Sequence, residues 1–345
     1  MTIKDIARES GYAVGTVSRV LNEHPDVSPE ARERILAVVA AHGFVPNSNA
    51  RRLKQQGSHG IAIIVKGTQN MLFAGILELA QAEIRKHAVP VSVTYLDEED
   101  NEVLQARALC RERKPLGILF LGSYLPYFRE FFSGIDIPCV LITNSARELS
   151  CRNLSSVSTD DASAAAFCVD YLVQRGHRNI GVLGGISGGS DASSARLAGC
   201  EAGFRAAGLP FDREKQYRSA RFSMASGYSA MEQLLSAMPE MTAVFAFSDV
   251  MAIGALRALR DHGKRVPEDI SLIGFDGIEL GRFAFPRLTT IKQNDVALAG
   301  RGVELLLDQI EHRAPAAHET VAFRLLPGES VRDLNENGER GKLLL

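Results

Sequence analysis

At 345 residues the chain exceeds one ordinary domain and predicts two or three folded units. A composition of 46% hydrophobic and 23% charged residues, with 30 Gly and 13 Pro, excludes a disordered or collagenous chain. The net charge of −2 decides nothing globally, but residues 1–57 carry eight Lys/Arg against six Asp/Glu, a mild basic footprint compatible with nucleic acid.

The first 45 residues read as three short helices. Thr2 starts the first, Gly11 breaks it, and Ala13–Asn22 supplies the second. Ser28 before Pro29 caps a third, which Gly43 stops. On a helical wheel Val17, Val20 and Leu21 form an i, i+3, i+4 stripe that packs on Ile3, Ile6 and Ala7. Val14, Gly15, Ser18, Arg19 and Asn22 lie on the opposite side. A short helix, a glycine turn and a second amphipathic helix make a helix-turn-helix, whose second helix enters the major groove. Arg19 then suits a guanine edge, Val14 a thymine methyl, and Thr16, Ser18 and Asn22 suit phosphates. The residues alone leave a second reading open, the solvated face of an ordinary helical bundle.

After Pro46 a stretch rich in Asn, Arg, Gln and Ser reads as a linker, with Arg51, Arg52 and Lys54 facing no acidic residue. From Gly60 short apolar strands alternate with amphipathic helices. Strands are predicted at Gly60–Val65, Val89–Tyr95, Gly117–Leu121 and Pro138–Ile142 for one sheet. A second series falls at Asn179–Leu183, Tyr217–Arg221, Ala243–Phe247 and Ser271–Phe275. Near-continuous apolar strands between helices predict parallel sheets covered on both faces, and two series predict two lobes.

Ligands of open α/β sheets bind beyond the carboxyl ends of the strands. The candidates there are Phe73, Asn144, Arg196, Phe222, Ser248 and Asp276. A carboxylate, a guanidinium and aromatic rings suit a polyhydroxylated ligand, through paired hydrogen bonds and stacking on an apolar face. Plainer readings stand beside these: Phe73 and Phe222 as core, Asp249 as a helix cap, His177 in a helix-to-strand turn. Enzyme chemistry finds little support. Gly184–Gly189 lacks the GxGxxG spacing and its acidic partner, and no P-loop, Ser/His/Asp set or metal constellation stands out. Cys110, Cys139, Cys151, Cys168 and Cys200 include no CxxC pair and read as free thiols of a reducing compartment. The start shows no signal-peptide core and no apolar run nears roughly 18 residues, so a cytoplasmic protein without metal or cofactor is expected.

Thr2-Ile3-Lys4-Asp5-Ile6-Ala7 followed by Gly15-Thr16-Val17-Ser18-Arg19-Val20-Leu21-Asn22 closely resembles the headpiece of the lactose/galactose repressor family. His42-Gly43-Phe44-Val45-Pro46-Asn47, Gly176-His177-Arg178-Asn179-Ile180 and Leu288-Thr289-Thr290-Ile291 extend the resemblance over nearly the whole chain. It implies an all-α helix-turn-helix headpiece at 1–46, a hinge helix and linker at 47–58, and an α/β periplasmic-binding-protein-like body of two Rossmann-like lobes at 59–333. Lobe 1 is placed at about 59–159 and 292–320, lobe 2 at about 160–291 and 321–333, with a tail at 334–345. The implied function is that of a transcription regulator, a repressor acting as a homodimer on double-stranded operator DNA. A small-molecule effector between the lobes, a sugar or sugar phosphate or else a nucleobase, modulates it. Asp276 matches the family's effector-binding Asp in Gly-Phe-Asp and Arg196 its Arg in Arg-Leu-Ala-Gly, while Thr143 stands where several sugar-binding members have Asp. The family's base-reading positions fall on Val14 and Gly15, which offer no side-chain donor or acceptor, so direct readout leans on Arg19. Asn49-Ala50-Arg51-Arg52-Leu53-Lys54 resembles the hinge helix, which places Ala50 and Arg52 on DNA and makes Leu53 the minor-groove wedge. A sugar-binding protein or an α/β enzyme without a DNA role is the alternative, and it gives the headpiece no purpose.

Overall fold

The computed structural model describes residues 3–21, 26–42, 60–185 and 191–335. By internal contacts the chain falls into two compact units, Met1–Ser58 and His59–Leu345.

The first unit holds three helices, α1 (Ile3–Ser10), α2 (Val14–Leu21) and α3 (Pro29–Ala41). Gly11 ends α1 at φ +79°, a left-handed position that a Cβ would strain. Ser28 caps α3 by accepting from Ala31 N at 3.3 Å, with Pro29 in the first turn. Ile6, Val17 and Ile35, one from each helix, are fully buried together with Ala7 and Val20. That apolar stripe decides which side of α2 is left open.

The second unit is built on two six-stranded sheets. The first sheet takes β1 (Ile61–Lys66), β2 (Val91–Leu96), β3 (Gly117–Leu121), β4 (Cys139–Ile142) and β5 (Leu154–Thr159). The helices between them are α4 (Met71–Lys86), α5 (Glu102–Glu112) and α6 (Leu125–Phe131). After α7 (Asp161–Gln174) the second sheet takes β6 (Ile180–Gly184), β7 (Tyr217–Ser219), β8 (Ala243–Ala246), β9 (Ser271–Asp276) and β10 (Thr289–Lys292). Its helices are α8 (Asp191–Ala206), α9 (Arg213–Gln216), α10 (Met224–Ala237) and α11 (Asp249–Asp261). The chain then returns through α12 (Asp295–His312) to β11 (His318–Val321) beside β5, and ends with β12 (Arg324–Leu326) on β10. The strand orders are β11-β5-β4-β3-β1-β2 and β12-β10-β9-β8-β6-β7. All pairs are parallel except β10 with β12.

Both faces of each sheet are covered, which is why the strands read as unbroken apolar runs. In β1, Ile61, Ile63 and Val65 face α4 and α12, while Ala62 and Ile64 face α5 and α6. In the second sheet Val244 and Leu272 pack toward α10 and α11, and Phe245 and Ile273 toward α7 and α8. The predicted strands recur within one or two residues at each end, with Tyr217–Arg221 shortened to Tyr217–Ser219. β5 was not among the predicted strands. Four of its six residues, Ser155, Ser156, Ser158 and Thr159, carry hydroxyls, yet all of β5 is buried. Partners from elsewhere satisfy three of them: Ser155 Oγ accepts from Ala317 N at 3.0 Å, Ser156 Oγ accepts from Ala146 N at 3.0 Å, and Thr159 Oγ1 donates to Gln293 Oε1 at 2.9 Å.

Candidate functional site

A cavity of about 280 Å³ opens where the carboxyl ends of the two sheets face each other. Lys66 and Gly67 reach it from the end of β1, Ser123 from β3, Thr143 and Asn144 from β4, Asp276 from β9 and Gln293 from β10. Phe73, Tyr124, Tyr127 and Phe222 supply aromatic walls. Gly122, at φ +75°, lets the chain pass close by, since a Cβ there would lie 2.7 Å from Lys66 O and 2.9 Å from the Phe73 ring. Thr143 (φ +82°) and Asp276 (φ +114°) also hold left-handed backbone at the cavity wall. For a β-branched residue this is a costly conformation, of the kind that concentrates at functional sites.

Asp276 is 1% exposed. Its Oδ1 accepts from Gln293 Nε2 at 2.7 Å, and Gln293 is itself fixed by Thr159 Oγ1, which donates to it at 2.9 Å. Asp276 Oδ2 has no partner, nor do Asn144 Nδ2 and Ser123 Oγ. Burial pushes the Asp276 carboxyl up to about 6, against the opposing pull of Arg196 and the Gln293 hydrogen bond. Arg196 is 4% exposed: its Nε donates to Asp161 Oδ1 at 2.8 Å, a terminal nitrogen donates to Phe247 O, and another stands 3.8 Å from Asp276 Oδ1. The guanidinium lies 3.8 Å from the centre of the Phe275 ring. Burial raises the Asp161 carboxyl as well, and Arg196 opposes it.

Five of the six predicted effector residues, Phe73, Asn144, Arg196, Phe222 and Asp276, line this cavity. Ser248 does not. It caps α11, accepting from Met251 N at 3.3 Å, and is fully buried. The cap expected of Asp249 therefore belongs to its neighbour. Asp249 instead ties three segments together, accepting from Thr290 Oγ1 at 2.6 Å and Ile278 N at 2.8 Å. Burial, with Asp276 nearby, holds its carboxyl well above the usual range. His177 sits in the turn between α7 and β6, its ring between Thr242 Oγ1 and Arg332 O.

Several residues of the wall lie beyond those predicted. Lys66 Nζ donates to Glu102 Oε2 at 2.7 Å and lies 4.8 Å from the centre of the Tyr127 ring. Glu102 Oε1 in turn accepts from Tyr124 N at 2.6 Å. Arg221, following β7, reaches across to the turn after β2, with 2.6 Å to Asp97 Oδ1 and 3.4 Å to Glu98 Oε2. Lys66 stands at the end of an apolar strand, a signal already visible in the sequence, whereas Gln293 follows Thr289–Lys292, in which only Ile291 is apolar.

In the first unit Val14 (41% exposed), Gly15 and Arg19 form an open face of α2, with Thr16 and Ser18 half-buried at its margin. A Cβ on Gly15 would meet nothing within 4 Å. Asn22, Ala50, Arg52 and Leu53, and with them the hinge segment, lie outside the described residues, as does the tail beyond Asn335.

Residues 2–47 match the family model of bacterial regulatory proteins of the lacI family, and residues 169–331 match the periplasmic binding protein-like domain. The HTH-type transcriptional regulator MalR of Clostridium butyricum is 32% identical over 335 residues, covering 96% of this chain and 99% of the relative. Among solved structures, the complex of the transcriptional regulator CelR with cellobiose superposes with a TM-score of 0.70 at 26% identity, covering 96% of this chain and 99% of that one. The Lac repressor dimer bound to operator and the anti-inducer ONPF shares the fold, with a TM-score of 0.74 at 23% identity over the same shares. With headpiece, body and nearly full-length identity agreeing, the chain belongs to the lacI family of bacterial regulatory proteins.

Proposed function

We propose that this regulator reads operator DNA with α2 of its first unit and senses a sugar or sugar derivative in the cavity of its second. It is a DNA-binding transcription regulator, a repressor in its family setting, and not an enzyme. One observation carries the effector assignment. Among the described residues five buried side-chain polar atoms lack a partner, and three of them, Ser123 Oγ, Asn144 Nδ2 and Asp276 Oδ2, line one cavity. Leaving such an atom unpaired costs about 1–3 kcal/mol, a cost that hydroxyls of a ligand would remove. The cellobiose held by CelR is a ligand of that kind. A nucleobase is the second reading, favoured by the rings of Phe73, Tyr124, Tyr127 and Phe222 around the same space.

On DNA, Arg19 is the specifying side chain, and Thr16 and Ser18 position the helix. Arg19→Ala should cost about 1–3 kcal/mol and relax preference at one base pair per half-site. Anisotropy titrations against operator variants measure both, and unchanged affinity and preference would remove α2 from the recognition role.

We assign a homodimer, as the operator-bound Lac repressor is a dimer, and a cytoplasmic location. Among the described residues no helix is long and apolar enough to cross a membrane. Phe283 and Phe285, 76% and 90% exposed on one loop of the second sheet, are the apolar side chains we assign to contact with the second copy. Phe285→Glu should then sediment as a monomer at concentrations where the parent is dimeric.

A further inference from the structure

Each cation at the cavity wall already has carboxylates of its own. Lys66 and Glu102 form an ion pair at 2.7 Å with side chains 6% and 0% exposed. Arg196 holds Asp161 at 2.8 Å and stands 3.8 Å from Asp276. Arg221 holds Asp97 at 2.6 Å and Glu98 at 3.4 Å. Glu99 adds another acid to the wall. The three cations thus face an excess of carboxylates, with the Lys66 and Arg196 pairs buried and the Arg221 pair at the partly exposed margin. At the start of α4 the amide of Leu72, also at the wall, is taken by Asn70 Oδ1 at 3.1 Å.

An anion entering such a space gives up its hydration and finds no uncompensated positive charge. An uncharged polyol has no such penalty. It can offer hydroxyls to Asp276 Oδ2, Asn144 Nδ2 and Ser123 Oγ and lay an apolar face on the rings. Lys66 gives one N–H to Glu102, and its other two remain for a neutral acceptor such as a ring or glycosidic oxygen.

We propose that the cavity selects an uncharged effector and rejects phosphorylated and carboxylated sugars, with Glu102 as a specificity-determining residue that keeps Lys66 from acting as an anion receptor. This rests on the effector site assigned above, and it narrows the ligand within the sugar class. Should a nucleobase be the ligand, the same charge rule admits a nucleoside and rejects its monophosphate.

Matched pairs test it by calorimetry on the full-length protein: glucose with glucose 6-phosphate and with glucuronate, ribose with ribose 5-phosphate, cellobiose with cellobionate, adenosine with its monophosphate. The expected result is binding by the neutral member of at least one pair, with its anionic counterpart at least about a hundredfold weaker. An anionic member that binds as tightly as its neutral counterpart overturns the charge rule and leaves the site standing. Binding by no member of any pair removes the site itself, and the charge rule with it. Glu102→Gln, which keeps a hydrogen-bonding side chain but no charge, should shift the neutral-to-anionic affinity ratio at least about tenfold toward the anion. An unchanged ratio in a folded variant strikes Glu102 from the selection. If the variant fails to fold, the matched pairs on the parent protein decide the charge rule alone.

Discussion

Asp276 combines a carboxyl that is 1% exposed with a backbone φ of +114°, and Arg196 and Gln293 only partly offset the burial of its charge. The groups around it are Arg196, Gln293, Asp161, Lys292 and Asp249. Because burial lifts its folded value to about 6, above the usual 3.8, the native state binds this proton more tightly than the unfolded chain does. The stability it contributes is full below about pH 4 and is lost as pH rises through about 6. Effector binding has the opposite sign. A hydroxyl donated to Oδ2 favours the ionised form, so affinity should fall below about pH 6, by up to about tenfold per pH unit, with proton release on binding near that pH. Calorimetry in two buffers of different ionisation heat measures the release, and none near pH 6 would take Asp276 out of direct contact. Asp276→Asn, tolerated at positive φ, should abolish the effector response and keep the fold. Comparing its pH–stability curve with the parent's separates Asp276 from Asp161 and Asp249, whose carboxyls burial also raises.

β5 shows why some elements are legible in a sequence and others are not. β1, β3 and β8 are buried on both faces and nearly all apolar, so their composition alone marks them. β5 is equally buried, but the hydroxyls of Ser155, Ser156 and Thr159 are matched by groups far along the chain, including His318 Nδ1, 2.9 Å from Ser156 Oγ. No local pattern announces such partners. Ser156→Ala would leave the buried Ala146 amide without its acceptor and should cost about 1–3 kcal/mol. Urea denaturation measures the loss, and a variant as stable as the parent would mean that water replaces the hydroxyl. The site divides in the same way. Asp276, Arg196 and Asn144 follow from motif and strand-end position, whereas Tyr124 and Tyr127 belong to a turn and a short helix whose facing emerges only on folding. Ser248 misled because a strand-end serine is equally the first residue before a helix, and here the cap won.

Across the whole molecule, the cavity wall draws on both sheets, so an effector there favours one arrangement of the sheets over another. Arg221, bonded to Asp97 and Glu98 from the opposite sheet, already biases that arrangement without a ligand. These side chains are partly exposed, so salt should weaken the bias. The DNA-reading face proposed for α2 lies in the other compact unit, and two sites do not need to touch to be coupled. Thermodynamic linkage requires that if the effector changes operator affinity by some factor, operator DNA changes effector affinity by the same factor. A hundredfold effect corresponds to about 2.7 kcal/mol of differential effector binding, within reach of a few hydrogen bonds to Asp276, Asn144 and Ser123. Effector titrations with and without saturating operator duplex, set beside operator titrations with and without effector, should return equal factors, and their sign distinguishes induction from corepression. Arg221→Ala should move both factors together. If it changed effector affinity while leaving the effector's influence on operator binding intact, the contact between the sheets would have no part in the switch.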